Sequence, residues 1–253
     1  MKMHALYSGT LRMKKRVYDP DADRAELIDL PVSCFLLRHK QGNVLFDTGC
    51  HPSVASDAFE RWGPLAKALV PSMGKGEDVI QQLNLVGFAP QDIDVVVNSH
   101  LHCDHCGCNE FFRKATFFIH ADELETVQDP AQEGNGYFRA DWDHPMPVEP
   151  ITTERDLFDD ERIVLIPLPG HSPGLTGMLA NLDRSGSFLL TSDAVSLRAN
   201  LDKNIMPKNT WNFELMAKSL EEIRRIENGG VTIICGHDAE QWSQLKKGAD
   251  AYD

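Results

Sequence analysis

His100-Leu101-His102-Cys103-Asp104-His105 places three imidazoles and one carboxylate within six residues. Neutral imidazole binds zinc at about 2.0–2.1 Å and a carboxylate oxygen at about 2.0–2.2 Å. Residues two apart, here His100 and His102, converge on one ion where the backbone is extended or turning. Asp104 and His105 then point elsewhere. One tight turn therefore offers ligands in two directions, which suits two adjacent metals. Without metal, burying this set would leave its polar groups poorly satisfied.

The residues just before the cluster explain what would hold it. Ile93 to Val97 is an apolar run broken only by Asp94, and its three successive valines have the pattern of a fully buried strand. Three other runs end the same way. Ile163–Leu168 leads into Pro169-Gly170-His171, Phe188–Leu190 into Thr191-Ser192-Asp193, and Val231–Ile234 into Cys235-Gly236-His237. Strand ends are rigid, and loops leaving them carry function on a fixed scaffold. His171, Asp193 and His237 thus join the cluster as candidates, making five histidines and two aspartates. Two metals with three or four protein ligands each, sharing one bridging carboxylate, use seven ligands and keep open positions for water. Ions about 3.5–4 Å apart can clamp both sides of a displacement.

Around these strands the chain reads as alternating strand and helix. Val32–Leu37 and Val44–Phe46, joined through Gln41-Gly42-Asn43, predict a hairpin. Residues 51–75 form a mixed insert whose Phe59, Trp62, Leu65, Ala68 and Leu69 would pack on a partner subunit or on the chain's own pocket. A short helix is expected over Asp78–Val86, a strand at Phe117–Ile119 and a helix from about Asp122 through Val127. Met216, Leu220, Ile223 and Ile226 share one helix face, closed by Gly229-Gly230. Residues 128–160, rich in Pro, Gly, Asp and Glu, read as a long surface loop or lid. No repeat or linker divides the chain, so 1–253 is expected to be one domain.

Composition narrows the function classes. The 253 residues carry a formal charge of −13, which argues against a phosphate-tracking nucleic-acid protein. The basic run Met13–Arg16 reads as a solvated turn or strand end, since acidic residues follow it. No apolar run approaches the ~20 residues needed to span a membrane, and no secretory signal is evident. A cytoplasmic chain is expected, with its six cysteines as free thiols. Cys103-x-x-Cys106 resembles a metal knuckle but lacks a second pair. Cys103 reads either as a small hydrophobe or as part of the pocket wall. His4, His39, His51, His120 and His144 read as hydrogen-bonded structure.

The motif set resembles the metallo-β-lactamase-fold superfamily. His100-x-His102-x-Asp104-His105, Pro169-Gly170-His171-Ser172-Pro173-Gly174, Asp193 and Gly236-His237 occur in that family's order and rough spacing, and Asp47-Thr48-Gly49 matches its Asp turn near the site. Within the superfamily, Leu30–Leu37, Val97–His102 and Gly236–Gln241 are similar to the N-acyl-homoserine lactonases. The resemblance implies an α/β fold, the αββα four-layer sandwich. It implies that His100, His102 and His171 bind one metal, that Asp104, His105 and His237 bind the other, and that Asp193 bridges. Zinc is the first expectation for both ions, with manganese, iron or cobalt as alternatives. Several positions depart from the lactonase pattern. Ser196 stands where a Tyr commonly hydrogen-bonds the substrate carbonyl, Cys103 replaces an aromatic residue, Gly107-Cys108 replaces Gly-Gly, and Leu175 replaces a frequent His.

The function implied is hydrolysis of a lactone, an N-acyl-homoserine lactone first, by a metal-bridging hydroxide. Asp104 would guide the proton to the leaving alkoxide, and Asp193 would hold both metals. Ser196, Cys103, Tyr137 and Phe138 are candidate substrate contacts. Tyr137, Phe138 and Trp142 would wall an acyl chain or simply pack the lid. The rivals are a dinuclear hydrolase of another ester, thioester or phosphoester, and an iron-dependent dioxygenase. The partner expected is a small neutral lactone or ester, with no nucleic acid and no membrane, acting on a monomer or homodimer.

Overall fold

Lys2–Lys14 (β1) and Leu27–His39 (β2) form a long antiparallel pair, and Gly42–Phe46 (β3) turns back along β2. The computed structural model describes residues 1–253. The insert follows as Val54–Trp62 (α1), a 3-10 turn and Val70–Ser72 (β4), which returns to the edge of β1. Val79–Leu85 (α2) leads into Val95–Val97 (β5), Thr116–His120 (β6) and Ala121–Thr126 (α3). Then come Arg139–Trp142 (α4), Val148–Ile151 (β7), Arg155–Asp156 (β8), Ile163–Pro167 (β9), Thr176–Leu182 (β10) and Gly186–Leu190 (β11). Arg198–Asp202 (α5), Phe213–Asn228 (α6), Thr232–Ile234 (β12) and Ala239–Gln244 (α7) complete the chain.

The strands make two sheets. One has seven strands in the order β4-β1-β2-β3-β5-β6-β7, and the other has five in the order β12-β11-β10-β9-β8. Their inner faces meet in a core that takes Phe35 and Leu37 from β2, Ile163 and Leu165 from β9, and Phe188 and Leu190 from β11. The alternate residues face outward but are buried too. Cys34 and Leu36 pack under Val79 and Leu83 of α2, while Val164, Ile166 and Leu189 pack under Met216, Leu220 and Ile223 of α6. Strands covered on both faces read as unbroken apolar runs, which is why the runs are legible in the sequence. The result is the αββα sandwich.

Local chemistry sets the helix ends. Asp78 caps α2 by accepting from Gln81 N at 2.9 Å, and Asn212 caps α6 by accepting from Glu214 N and Leu215 N at 3.0 Å. Pro31, inside β2, sits where the β1–β2 register shifts between Tyr7 and Thr10. Proline is tolerated in a strand at such an irregularity because no ladder donor is needed there.

The expectation for residues 128–160 requires correction. The stretch is not one loop. It contains α4, the β7 edge strand of the seven-stranded sheet, and β8 of the other. β7 escapes a pattern search because its Val148, Glu149 and Pro150 are exposed at the sheet edge. The insert resolves toward the chain's own pocket. Trp62 is fully buried, and Leu65, Ala66 and Leu69 pack on the same cluster, while Phe59 stays exposed.

Candidate metal centre

Parallel pairing of β3 with β5 and of β11 with β12 brings their carboxyl ends to one edge of the sandwich. Asp47 follows β3, His100 to His105 follow β5, Asp193 follows β11 and His237 follows β12. His171 arrives on the turn between β9 and β10. All seven candidate ligands except His102 are buried, and His102 is partly so.

Their donor atoms fall into three overlapping groups, each within 4.8 Å: His100, His102 and His171; His100, His105 and Asp193; and Asp104, His105 and His237. In the first group His102 Nδ1 lies 3.0 Å from both His100 Nε2 and His171 Nε2. In the third, Asp104 Oδ2 is 3.5 Å from His105 Nε2 and 3.6 Å from His237 Nε2. Asp193 stands between the two, with Oδ2 3.3 Å from His171 Nε2 and Oδ1 2.9 Å from His237 Nε2.

The other face of three rings is tied down. His105 Nδ1 meets Asp47 Oδ2 at 2.8 Å, His237 Nδ1 donates to Pro31 O at 2.9 Å, and His100 Nδ1 meets Ser99 Oγ at 3.0 Å. These bonds fix ring orientation and leave Nε2 as the inward atom, the arrangement that outer partners of metal-binding histidines provide.

Electrostatics supports a cation here. Burial lowers His102 and His171 to about 4, leaving both rings neutral at pH 7. His100 is driven well down, by burial first and then by the neighbouring imidazoles. Burial raises Asp104, but His105 and His237 outweigh it and hold the carboxyl at about 2. Asp193 is held well below the usual range, since His237 and His171 overcome its burial. His105 and His237 move up against their burial, through Asp104 and Asp47 for the first and Asp193 for the second. Inward-facing His105 Nε2 is buried with no partner nearer than the Asp104 and Asp193 carboxylates at 3.5 Å. Buried polar atoms without partners are costly. The neutral nitrogens of His100, His102 and His171 and the ionised carboxylates fit divalent metals, which would displace the protons the carboxylates favour on His105 and His237.

The family model for the metallo-beta-lactamase superfamily matches residues 27–237, a span that includes every one of these donors. The chain belongs to that superfamily. N-acyl homoserine lactonase AttM of Rhizobium radiobacter is 30% identical over 259 residues, covering 100% of this chain and 98% of its own length. N-acyl homoserine lactonase AiiB of Agrobacterium fabrum is 32% identical over 248 residues, covering 90% of this chain and 87% of its own. Among solved structures, an N-acyl homoserine lactone hydrolase with N-hexanoyl-L-homoserine bound at its catalytic metal centre shares the fold. Its TM-score is 0.90 at 24% identity, over 99% of this chain and 98% of that one.

In this metallo-beta-lactamase domain the centre lies between two cavities. One, of about 190 Å³, is walled by apolar side chains including Leu11, Leu30, Leu65 and Leu69. The other, of about 670 Å³, is polar, with Asp122, Glu125, Asp129 and Lys208 in its wall. His102 and His171 face both. The expected substrate contacts divide. Cys103 lines the apolar cavity and Tyr137 the polar one. Phe138 is buried beside Trp62 and lines neither. Ser196 is 1% exposed, and its Oγ has no partner. Trp142 packs on the outer core beneath the helices. His4, His39, His51 and His120 stay outside the cluster, each in a side-chain hydrogen bond, whereas His144 departs from that expectation with a buried, unpartnered Nε2.

Three supporting residues carry little sequence signal. Glu123 is fully buried and accepts from Leu101 N at 3.1 Å, Gly174 N at 3.0 Å and the Tyr137 hydroxyl at 3.2 Å. It thereby ties together the loops bearing His102 and His171, yet its neighbours Asp122 and Glu125 make it look like one more surface acid. Gly136, at φ +89°, lies against His102, where a Cβ would come within 2.9 Å of the ring. Tyr18, within the N-terminal segment, reaches the apolar cavity. The pairing of β1 with β2 and long-range hydrogen bonds from Asn200 and Lys208 bring that segment to the site.

Proposed function

We propose that this chain is a dinuclear metallohydrolase that opens the ring of an N-acyl-homoserine lactone. The observation that carries the reading is Asp193, which offers one oxygen to each of two facing donor groups, in a chain similar along its whole length to N-acyl homoserine lactonases. His100, His102 and His171 would hold one ion, Asp104, His105 and His237 the other, with Asp193 between them. The donors are imidazoles and carboxylates without thiolate, a set that accepts zinc, manganese, iron or cobalt, with zinc proposed first. When bound, such ions lower the pKa of a water toward about 7 and polarise an ester carbonyl.

The chain's own residues do the rest. Asp47, Pro31 and Ser99 hold three rings in register. The apolar cavity, whose wall carries Asp104, Asp193 and His237, takes the lactone ring, with Cys103 beside it, and shields the ester from bulk water. The polar cavity takes the amide. Asp104 is ionised and beside the centre, placed to take the proton released by the attacking water and hand it to the leaving alkoxide. Residues 1–253 act as one domain. All seven donors come from one chain, so a monomer or a homodimer serves. Six free, buried thiols suit the cytoplasm, and no helix is long and apolar enough to cross a membrane.

His102→Ala and Asp193→Ala test the assignment. Each is expected to lose metal and lactone ring-opening together, read by elemental analysis and by proton release. Full activity in either variant at unchanged metal content would contradict it.

A further inference from the structure

Attack on an ester carbonyl moves negative charge onto its oxygen, and a hydrogen-bond donor fixed toward that oxygen lowers the barrier. Ser196 does not supply one. It is buried outside both cavities, and its backbone carbonyl is taken by His237 N at 2.9 Å. The apolar cavity has one hydroxyl in its wall, that of Tyr18, and the same wall holds Asp104, Asp193 and His237.

Tyr18 is built into this place. It is 4% exposed and packs with Leu11, Leu30 and Trp62. Its N–H donates to Lys15 O at 2.9 Å, and its carbonyl accepts from Asn200 Nδ2 at 2.9 Å. The preceding carbonyl, of Val17, accepts from Lys208 N at 2.7 Å. The segment is therefore pinned to α5, which follows Asp193, and to the loop beside the polar cavity. A phenol carries its proton at neutral pH, so the Tyr18 hydroxyl is able to donate. Asn209 is the polar side chain beside the hydroxyl.

We propose that the Tyr18 hydroxyl donates a hydrogen bond to the carbonyl oxygen of the bound lactone, strengthening as that oxygen gains charge. Tyr18 keeps its proton throughout. The proposal rests on the lactonase reading.

Tyr18→Phe removes the hydroxyl and keeps the packed ring. With N-hexanoyl-homoserine lactone as substrate, kcat/KM is expected to fall about ten- to a thousandfold, carried mainly by kcat. Affinity for the corresponding γ-lactam, which is not turned over, is expected to weaken about three- to tenfold. Metal content and Tm should match the wild type. A lactone-active wild type with an equally active Tyr18→Phe overturns this proposal alone, as does a loss that comes with loss of metal. A wild-type protein inert toward lactones overturns the lactonase reading and this proposal with it.

Discussion

Asp47 shows how much of this centre depends on a residue outside the donor set. It adopts φ +58°, a left-handed conformation that aspartate tolerates better than most residues. In that conformation its two oxygens accept from Ser99 N at 2.7 Å and Ser99 Oγ at 2.8 Å and meet His105 Nδ1 at 2.8 Å. One carboxylate thus joins the turn after β3 to the turn after β5. Asp47→Ala is expected to reduce metal affinity or activity about 10–100-fold while the seven donors remain. Metal titration and kcat/KM read this, and wild-type values for both would contradict it. The donors themselves were legible because metal chemistry permits few residue types, and these sit at the ends of apolar runs. Glu123 and Tyr18 were not legible. Their roles arise from contacts across the fold, and neither occupies a spacing that short-range pattern can detect.

Among the elements, legibility followed burial on both faces. β5, β9, β11 and β12 are short apolar runs and stood out. β10 did not, because Gly177, Ala180 and Asn181 have weak strand preference and pairing with β9 and β11 imposes the conformation. β1 carries a register shift and a glycine at φ +86°, which break its alternation. α4, inside the supposed lid, is held to α1 by Arg61 Nε donating to Asp141 Oδ1 at 2.8 Å, and Asp141 is fully buried with its other oxygen unpartnered. Burial pushes the Asp141 carboxyl up to about 7, and Arg61 only partly offsets this. The unfolded chain releases that proton near pH 3.9, about three units earlier. Between those values the folded state binds more protons, so this group's contribution to stability declines as pH rises from about 4 to about 7. Asp141→Asn is expected to remove that decline. Denaturant unfolding of both proteins across the window reads the difference, and parallel curves would contradict it.

At the scale of the whole molecule, two sheets and their covering helices do one thing for function: they bring five strand ends to a common edge. The chain's charge of −13 surrounds a centre that attracts cations, an arrangement that favours neutral substrates over polyanions. Ligands that bind only the folded state stabilise it, so stripping the metals is expected to lower Tm as well as activity. The most direct test follows lactone ring-opening by proton release in the protein as isolated, after chelation, and after zinc is restored, with metal counted each time. Two divalent ions per chain are expected, with activity lost on chelation and recovered on reconstitution. Undiminished ring-opening by the stripped protein, or a single iron with dioxygen uptake, would contradict this.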